Sequence, residues 1–194
     1  MARQLHPAEN RGYRELYALA RQMSKHWSAL AERLEGTDAA EPLRAGAELA
    51  RRLIDELEQT TPEYGLPGGP GAQGVGSAAA AVRSGVRDRF LERNQAVRVA
   101  VLDAQHATTL LAYLAAIAAT REDEALADFC RRWERRVRRA QTPIRSAAIG
   151  MGNDPDSAIV PVDESPAGRI AHGASYAFGA LGEWSDRRAA KRRG

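Results

Sequence analysis

The sequence predicts an all-α protein: an antiparallel bundle of four main helices with an additional C-terminal helix. Aromatic residues make up only 6% of the chain, while alanine, arginine, glutamate and leucine recur throughout, a composition typical of helical bundles. Apolar residues also recur in alternating steps of three and four, the period of one helix face. The short connection after the first such stretch makes the first two helices antiparallel neighbours.

The first helix is predicted over residues 10–34, on an apolar stripe of Tyr13, Leu16, Ala20, Met23, Trp27, Leu30 and Leu34. Thr37 or Asp38 is suited to cap the second helix, and Pro62 should stop it. The stripe of the second helix is Leu43, Ala47, Ala50, Ile54 and Leu57. Both stripes require burial against partner helices.

Residues 62–76 are rich in glycine and proline and predict a crossover loop. The helical pattern that follows runs over residues 77–120, and we expect a break near Gly85 or at Arg93 to Gln95. Beyond Asn94, apolar residues surround the helix on every side. A helix without a polar face is usually enclosed by others, which predicts a central helix here.

The fourth helix follows a turn at residues 121–123, and Pro143 inside it should kink it. Its stripe is Leu126, Cys130, Trp133, Val137, Ala140, Ile144, Ala147 and Met151. An acidic loop with a short extended centre is predicted over residues 153–165, followed by a C-terminal helix to about Ala190. The basic tail, residues 187–194, should be frayed, and we expect all 194 residues to form a single domain.

Charge and cysteine content exclude several classes of protein. The chain has 28 basic and 25 acidic residues and a net charge of +3, so it lacks the broad positive field of a dedicated nucleic-acid binder. The single cysteine, Cys130, excludes an internal disulfide framework and a cysteine-rich zinc site. We expect a cytoplasmic protein without membrane contact, because residues 1–7 lack a signal-like apolar region and the longest apolar run, residues 110–119, is about half a membrane span.

A polar group interrupts the most apolar helix and is the first candidate site: Asp103, Gln105, His106, Thr108 and Thr109. Asp103 and His106 are three residues apart and share a face, a spacing by which one helix supplies two metal ligands, as in ferritin-like bundles. Glu15, His26, Glu56 and Glu58 are possible additional ligands for a transition metal.

A structural interpretation of the same residues is open as well. Asp103 and His106 would then belong to a hydrogen-bond network that sets the helix register, and the threonines would bond to backbone carbonyls. A small-ligand site or acid–base catalysis are further alternatives. Cys130 occupies a core position, which favours a buried thiol over a nucleophile.

The second candidate site is a basic face on the fourth helix, formed by Arg131, Arg132, Arg135, Arg136, Arg138 and Arg139. Such a cluster beside an aromatic residue could grip phosphates. Acidic residues lie just upstream, however, so an ion-paired, solvated face is the alternative.

Three functions follow from these patterns. The first is a non-enzymatic helical bundle that acts as an interaction, scaffold or regulatory protein, because no familiar catalytic motif is present. We expect it to self-associate or to bind another protein, since regular apolar stripes readily continue into intermolecular contacts. The second is a ferritin-like bundle that binds a metal or small ligand near Asp103 and His106. The third is nucleic-acid binding through the arginine-rich helix.

Overall fold

The structure, a computed structural model, describes residues 4–66, 91–163 and 165–166. Its helices confirm the predicted all-α bundle. Four are long: α1 (Pro7–Arg33), α2 (Ala40–Thr60), α3 (Arg93–Thr120) and α4 (Glu124–Gly150). The shorter elements are 3-10 turns at Thr61–Tyr64 and Met151–Asn153 and a four-residue helix, α5 (Pro155–Ala158).

Each long helix packs against two others, so the four stand at the corners of a square. Both α1 and α4 contact α2 and α3, which therefore occupy opposite corners. The hydroxyl groups of Tyr17 in α1 and Thr61 beyond α2 are 3.0 Å apart, whereas Asn94 at the start of α3 donates to the carbonyl of Ala148 at the end of α4. The first contact makes α1 antiparallel to α2, and the second makes α3 antiparallel to α4.

The start of α1 depends on a capping box. The His6 side chain accepts a hydrogen bond from the Ala8 amide, and the Glu9 carboxylate accepts one from the His6 amide at 2.8 Å. These bonds satisfy amides that the first helical turn leaves without partners. The helix consequently begins at Pro7, three residues before the predicted start, because the cap lies upstream of the apolar stripe.

Thr37, one of the two residues predicted to cap α2, instead stabilises the turn that precedes this helix. Thr37 donates to the carbonyl of Leu34 and accepts from the amide of Ala39, so its hydroxyl holds the turn between the helices. The helix itself begins at Ala40 without a side-chain cap. Gly36, at a φ of 81°, supplies the left-handed conformation that ends the preceding helix.

The break predicted at Arg93 to Gln95 coincides with the beginning of α3. Glu92 and Gln95 form a capping box there, and residues 91–92 are not helical. The long stretch predicted over 77–120 is therefore interrupted, although its first part, with Gly85, lies outside the described residues.

The core consists of the inward stripes of all four helices. Every residue predicted on the stripe of α1 is buried. In α2 the stripe includes Leu53, which is fully buried, whereas the predicted Ile54 is only partly buried. Trp27 and Trp133 are the largest fully buried side chains. Pro143 lies within α4 without ending it.

The prediction of an enclosed central helix is wrong. The helix in question, α3, occupies one corner of the bundle, and its side chains of Leu102 and Tyr113 are 65% and 51% exposed. Its inward face is built mainly of alanine and leucine and packs closely on α1 and α4. Apolar residues thus occur on all sides of α3, but no described helix covers its outward face.

The segment after α4 packs against the beginning of α3. Arg93 donates to the carbonyl of Val160 at 2.9 Å, and Val162 donates to the carbonyl of Leu91 at 3.0 Å. The extended centre predicted for the acidic loop is therefore hydrogen-bonded to residues 91–93, at the beginning of α3, and follows the short helix α5. The predicted C-terminal helix and basic tail, residues 167–194, and most of the glycine-rich loop, residues 67–76, lie outside the described residues.

Two glycines allow close packing of α1, with different consequences. A Cβ atom at Gly46 would lie 2.6 Å from the buried Trp27 ring, and one at Gly12 would lie 2.8 Å from a terminal methyl group of Leu114. A methyl group can rotate away, but a fully buried indole cannot.

We therefore expect Gly46→Ala to destabilise the protein by about 1–3 kcal/mol through overpacking. Gly12→Ala should change the free energy of unfolding by less than about 1 kcal/mol, because the helix propensity of alanine offsets a small adjustment of Leu114. Chemical denaturation of both variants measures the difference. Equal losses in the two variants would contradict this account of the α1–α2 contact.

Candidate functional site

The structure separates the predicted pair of Asp103 and His106. The His106 Nε2 atom lies 2.8 Å from Glu15 Oε1, and both side chains are about half exposed. The Asp103 Oδ2 atom lies 3.8 Å from His26 Nδ1, and these side chains are largely buried. Glu15 and His26, predicted as additional ligands, do reach α3, but they form two separate pairs that connect α1 with α3.

The other polar residues of α3 bond mainly to the backbone. Thr108 and Thr109 both donate to the carbonyl of Gln105, at 2.8 and 2.9 Å, as the structural interpretation predicted. Gln141 of α4 donates to the Gln105 side chain at 3.3 Å and to the carbonyl of Val101 at 3.1 Å. Gln105 thus faces the α3–α4 seam, away from His106 on the α1 side.

The metal prediction gains no support from this arrangement. Within the described ranges, no group of three or more His, Cys, Asp or Glu side chains is placed to hold a metal ion. Each His–carboxylate pair offers two ligands, whereas catalytic and structural zinc sites use at least three from the protein. Glu58 pairs instead with Arg21 at 3.8 Å, and Glu56 faces α4.

Glu56 connects α2 to α4 through three donors. It accepts hydrogen bonds from Trp133 Nε1 at 2.8 Å, from Arg136 at 3.0 Å and from Arg132 at 3.3 Å. Partial burial by itself raises the pKa of Glu56, but the hydrogen bonds from Trp133, Arg136 and Arg132 outweigh it and lower the pKa overall. Arg136 also stacks over the Trp133 ring, 4.7 Å from its centre.

The remaining arginines of the predicted basic face are partly neutralised. Arg131 bonds to Glu124 and Asp128, and Arg138 bonds to Glu134. Together with the pairing of Arg132 and Arg136 with Glu56, these contacts favour the ion-paired, solvated face over a phosphate-binding face. Arg135 and Arg139 form no ion pair with a carboxylate of the described residues, so two of the six arginines carry the unpaired positive charge of this face.

Sequence reasoning missed the most deeply buried charge, Glu9. Its side chain is fully buried, and its Oε2 atom accepts bonds from the His6 amide and from the Arg121 guanidinium at the end of α3. The contact joins the beginning of α1 to the turn between α3 and α4. The available signal was the capping-box spacing to His6, which is obscured because histidine is an unusual cap.

Cys130 lies at the same end of the bundle. Its sulfur is 3.1 Å from the Tyr13 hydroxyl, and both side chains are buried. Burial raises the pKa of the Cys130 thiol to about 11, and burial together with the neighbouring thiol raises the pKa of Tyr13. A thiol that stays protonated at neutral pH is a poor nucleophile, so the geometry favours the predicted core role.

A shallow cleft of about 240 Å³ lies at the opposite end of the bundle, where the α1–α2 turn meets the end of α4. Asp38, Arg93 and Asp154 contribute charged side chains of both signs to its lining. None of the predicted site residues lines this cleft. It therefore does not join any of the candidate residues into one site.

The outward side of α3 is the largest departure from the predicted fold. We call it the outer face of α3, and its exposed residues are Arg98, Leu102, Gln105, His106, Thr109, Ala112, Tyr113, Ala116 and Thr120. Between Arg98 and Thr120 its only titratable member apart from Tyr113 is His106, which sits beside Glu15. Among the described helices, α3 is also the one whose length and composition would suffice to cross a bilayer, a property that core helices share.

Comparisons with protein-family models, with curated proteins and with solved structures find no match to this chain. The functional interpretation of this protein therefore depends on the residues of this chain alone.

The buried Glu9–Arg121 contact should contribute far more to stability than the exposed Glu15–His106 pair. We expect Glu9→Gln to lower the free energy of unfolding by about 2–3 kcal/mol, because it leaves the Arg121 charge without its counterion in a low-dielectric setting. Glu15→Gln, the matched control, should cost less than about 1 kcal/mol. Denaturant titration at pH 7 checks both values, and a loss from Glu15→Gln as large as that from Glu9→Gln would refute the ranking.

The lowered pKa of Glu56 predicts a pH dependence. A carboxylate whose folded-state pKa lies below its unfolded value, about 4.3, stabilises the fold above that pH and loses this contribution as the pH falls through the folded-state pKa. The stability difference between wild type and Glu56→Gln should therefore be largest near neutral pH and shrink in acid.

Unfolding measured from pH 7 down to pH 3 checks this expectation. Glu58→Gln on the same helix is the control, since an exposed ion pair contributes less than about 1 kcal/mol. A Glu56→Gln difference that grows on acidification would show that the sign is wrong.

Proposed function

We propose that this protein acts through protein–protein contact, as an interaction, scaffold or regulatory bundle and not as an enzyme. The observation that carries this proposal is the outer face of α3, which exposes Leu102 and Tyr113 on a helix surface with few charges.

Energetic reasons support a role for this face. Burying apolar surface contributes about 25 cal/mol per Å², so a large leucine and a tyrosine left exposed represent unused binding free energy. Single exposed apolar residues are ordinary on protein surfaces. Here, however, two large ones share one helix face with Thr109, Ala112 and Ala116, interrupted by Gln105 and His106, and exposed apolar patches commonly mark interaction sites.

The polar groups of α3 support the same proposal by their placement. Asp103 and His106 each pair with a residue of α1, and Gln105 bonds to Gln141 of α4. These side chains thus stabilise the packing of α3 on its two neighbours, which favours a structural role over chemistry. The outer face is then presented on a helix whose position is held from both sides.

The other two functions have less support. A metal site would need Asp103 or His106 to gain ligands beyond its single partner on α1. Nucleic-acid binding through α4 would compete with the carboxylates that already engage Arg131, Arg132, Arg136 and Arg138.

Site-specific photocrosslinking tests the proposal. In cells that naturally express the chain, a photoreactive phenylalanine derivative in place of Tyr113 should give discrete protein adducts. Leu102→Glu in the same chain should abolish them, because it would bury a charge in the contact. The control position is Thr142, which is exposed on α4. Adducts at position 113 no stronger than those at position 142 would refute the proposed role of this face.

A further inference from the structure

We propose that the beginning of α1 is a pH-sensitive element, in which the neutral His6 ring caps the helix and the protonated ring releases its first turn. This element shares no residue with the outer face of α3, so it does not depend on the proposed function.

The imidazole of His6 caps α1 through one specific atom. Its Nδ1 atom accepts a hydrogen bond from the Ala8 amide at 3.1 Å. A ring nitrogen accepts a hydrogen bond through its lone pair, which it has only while it carries no proton. The usual cap residues, serine, threonine, asparagine and aspartate, accept through an oxygen atom instead. The cap of α1 therefore depends on the charge state of one ring.

Histidine is the side chain that ordinarily changes its charge near neutral pH. It takes up a proton near pH 6.5, and both ring nitrogens are then donors. The His6 side chain is exposed, so solvent can supply this proton without any opening of the core. Acidification from pH 7.5 to pH 5.5 therefore removes the acceptor of the Ala8 amide.

The charges around the cap do not offset this loss. Two elements contribute them, α1 itself and the turn after α3. The Glu9 carboxylate lies beside His6, but it already binds the Arg121 guanidinium, so these two charges sum to zero. Arg11 donates to the Pro7 carbonyl at 3.4 Å and adds a cation. The N-terminal end of a helix also carries a partial positive charge, which disfavours an imidazolium there.

The second oxygen of Glu9 offers the protonated ring no replacement acceptor. Glu9 Oε1 is buried without a hydrogen-bond partner, whereas the His6 side chain lies in solvent. To reach this oxygen, the charged ring would have to leave water, and burying a charge is costly. We therefore expect protonation to end the capping of α1 without creating a new contact.

Release of the first turn affects an apolar residue of the core. Leu5 precedes His6 and is buried. The contact between Glu9 and Arg121 does not involve the imidazole, so α1 stays anchored from Glu9 onward. Loss of a side-chain cap should increase the population of the frayed turn about fivefold, which corresponds to about 1 kcal/mol. Acid therefore increases the exposure of Leu5 without unfolding the bundle.

Solvent-exchange NMR of the Ala8 amide in the full chain tests the proposal. His6→Asn keeps an oxygen acceptor at the cap and His6→Ala removes it, so these variants are the references for a capped and an uncapped helix. At pH 7.5 the protection of Ala8 in the wild type should equal that in His6→Asn. At pH 5.5 it should fall about fivefold, to the level of His6→Ala, after correction for the intrinsic pH dependence of exchange.

The beginning of α4 provides a control within the same molecule. The Leu126 amide donates to Asp123 Oδ1 at 3.2 Å, so this helix is capped by an oxygen atom and not by an imidazole. The corrected protection of Leu126 should be the same at both pH values in all three chains.

Three results would overturn the proposal. A wild type that follows His6→Asn at both pH values would show that the cap does not require a neutral ring. Equal protection of Ala8 in His6→Asn and His6→Ala would show that the side chain at position 6 does not cap the helix. Higher protection in the wild type at pH 5.5 than at pH 7.5 would show that the imidazolium pairs with the Glu9 carboxylate and that the sign of the pH effect is wrong.

Discussion

The burial of one apolar stripe from each of four long helices in a single core is the constraint on which the rest of this structure depends. Trp27 and Trp133 occupy the largest volumes in that core, and Gly46 lets α2 approach the Trp27 ring where any side chain would collide. Because hydrophobic burial is the dominant favourable contribution to folding, the helices take whatever positions bury these stripes. Polar side chains are then left along the seams between helices and at the ends of the bundle.

Those seams account for most of the charged and polar chemistry that the chain offers. Glu56 joins α2 to α4, the two histidine–carboxylate pairs join α1 to α3, and Glu9 joins the beginning of α1 to Arg121. Their energetic importance differs with burial, since a buried charge is costly to leave unpaired while an exposed pair is screened by water. The same residue types that could ligate a metal or grip phosphate are in this way engaged in orienting helices.

A helix with apolar residues on all sides that stands at a corner of the bundle leaves part of its apolar surface exposed to solvent. The inner face of α3 satisfies the core, and its outer face leaves Leu102 and Tyr113 in solvent, although their burial would release free energy.

Local sequence information was enough to place the four long helices to within a few residues of their observed bounds, apart from the interruption before α3. The stripe of α1, the interruption before Arg93 and the backbone bonding of Thr108 and Thr109 all follow from spacing, capping and side-chain chemistry within a few residues. Only the tertiary structure decided that α3 stands at a corner, that Asp103 and His106 have different partners on α1, and that Glu9 is buried against Arg121. Helix periodicity determines which residues share a face, but which face meets which helix depends on chain connectivity. Here α2 and α3 stand at opposite corners of the bundle, and no local pattern encodes that arrangement.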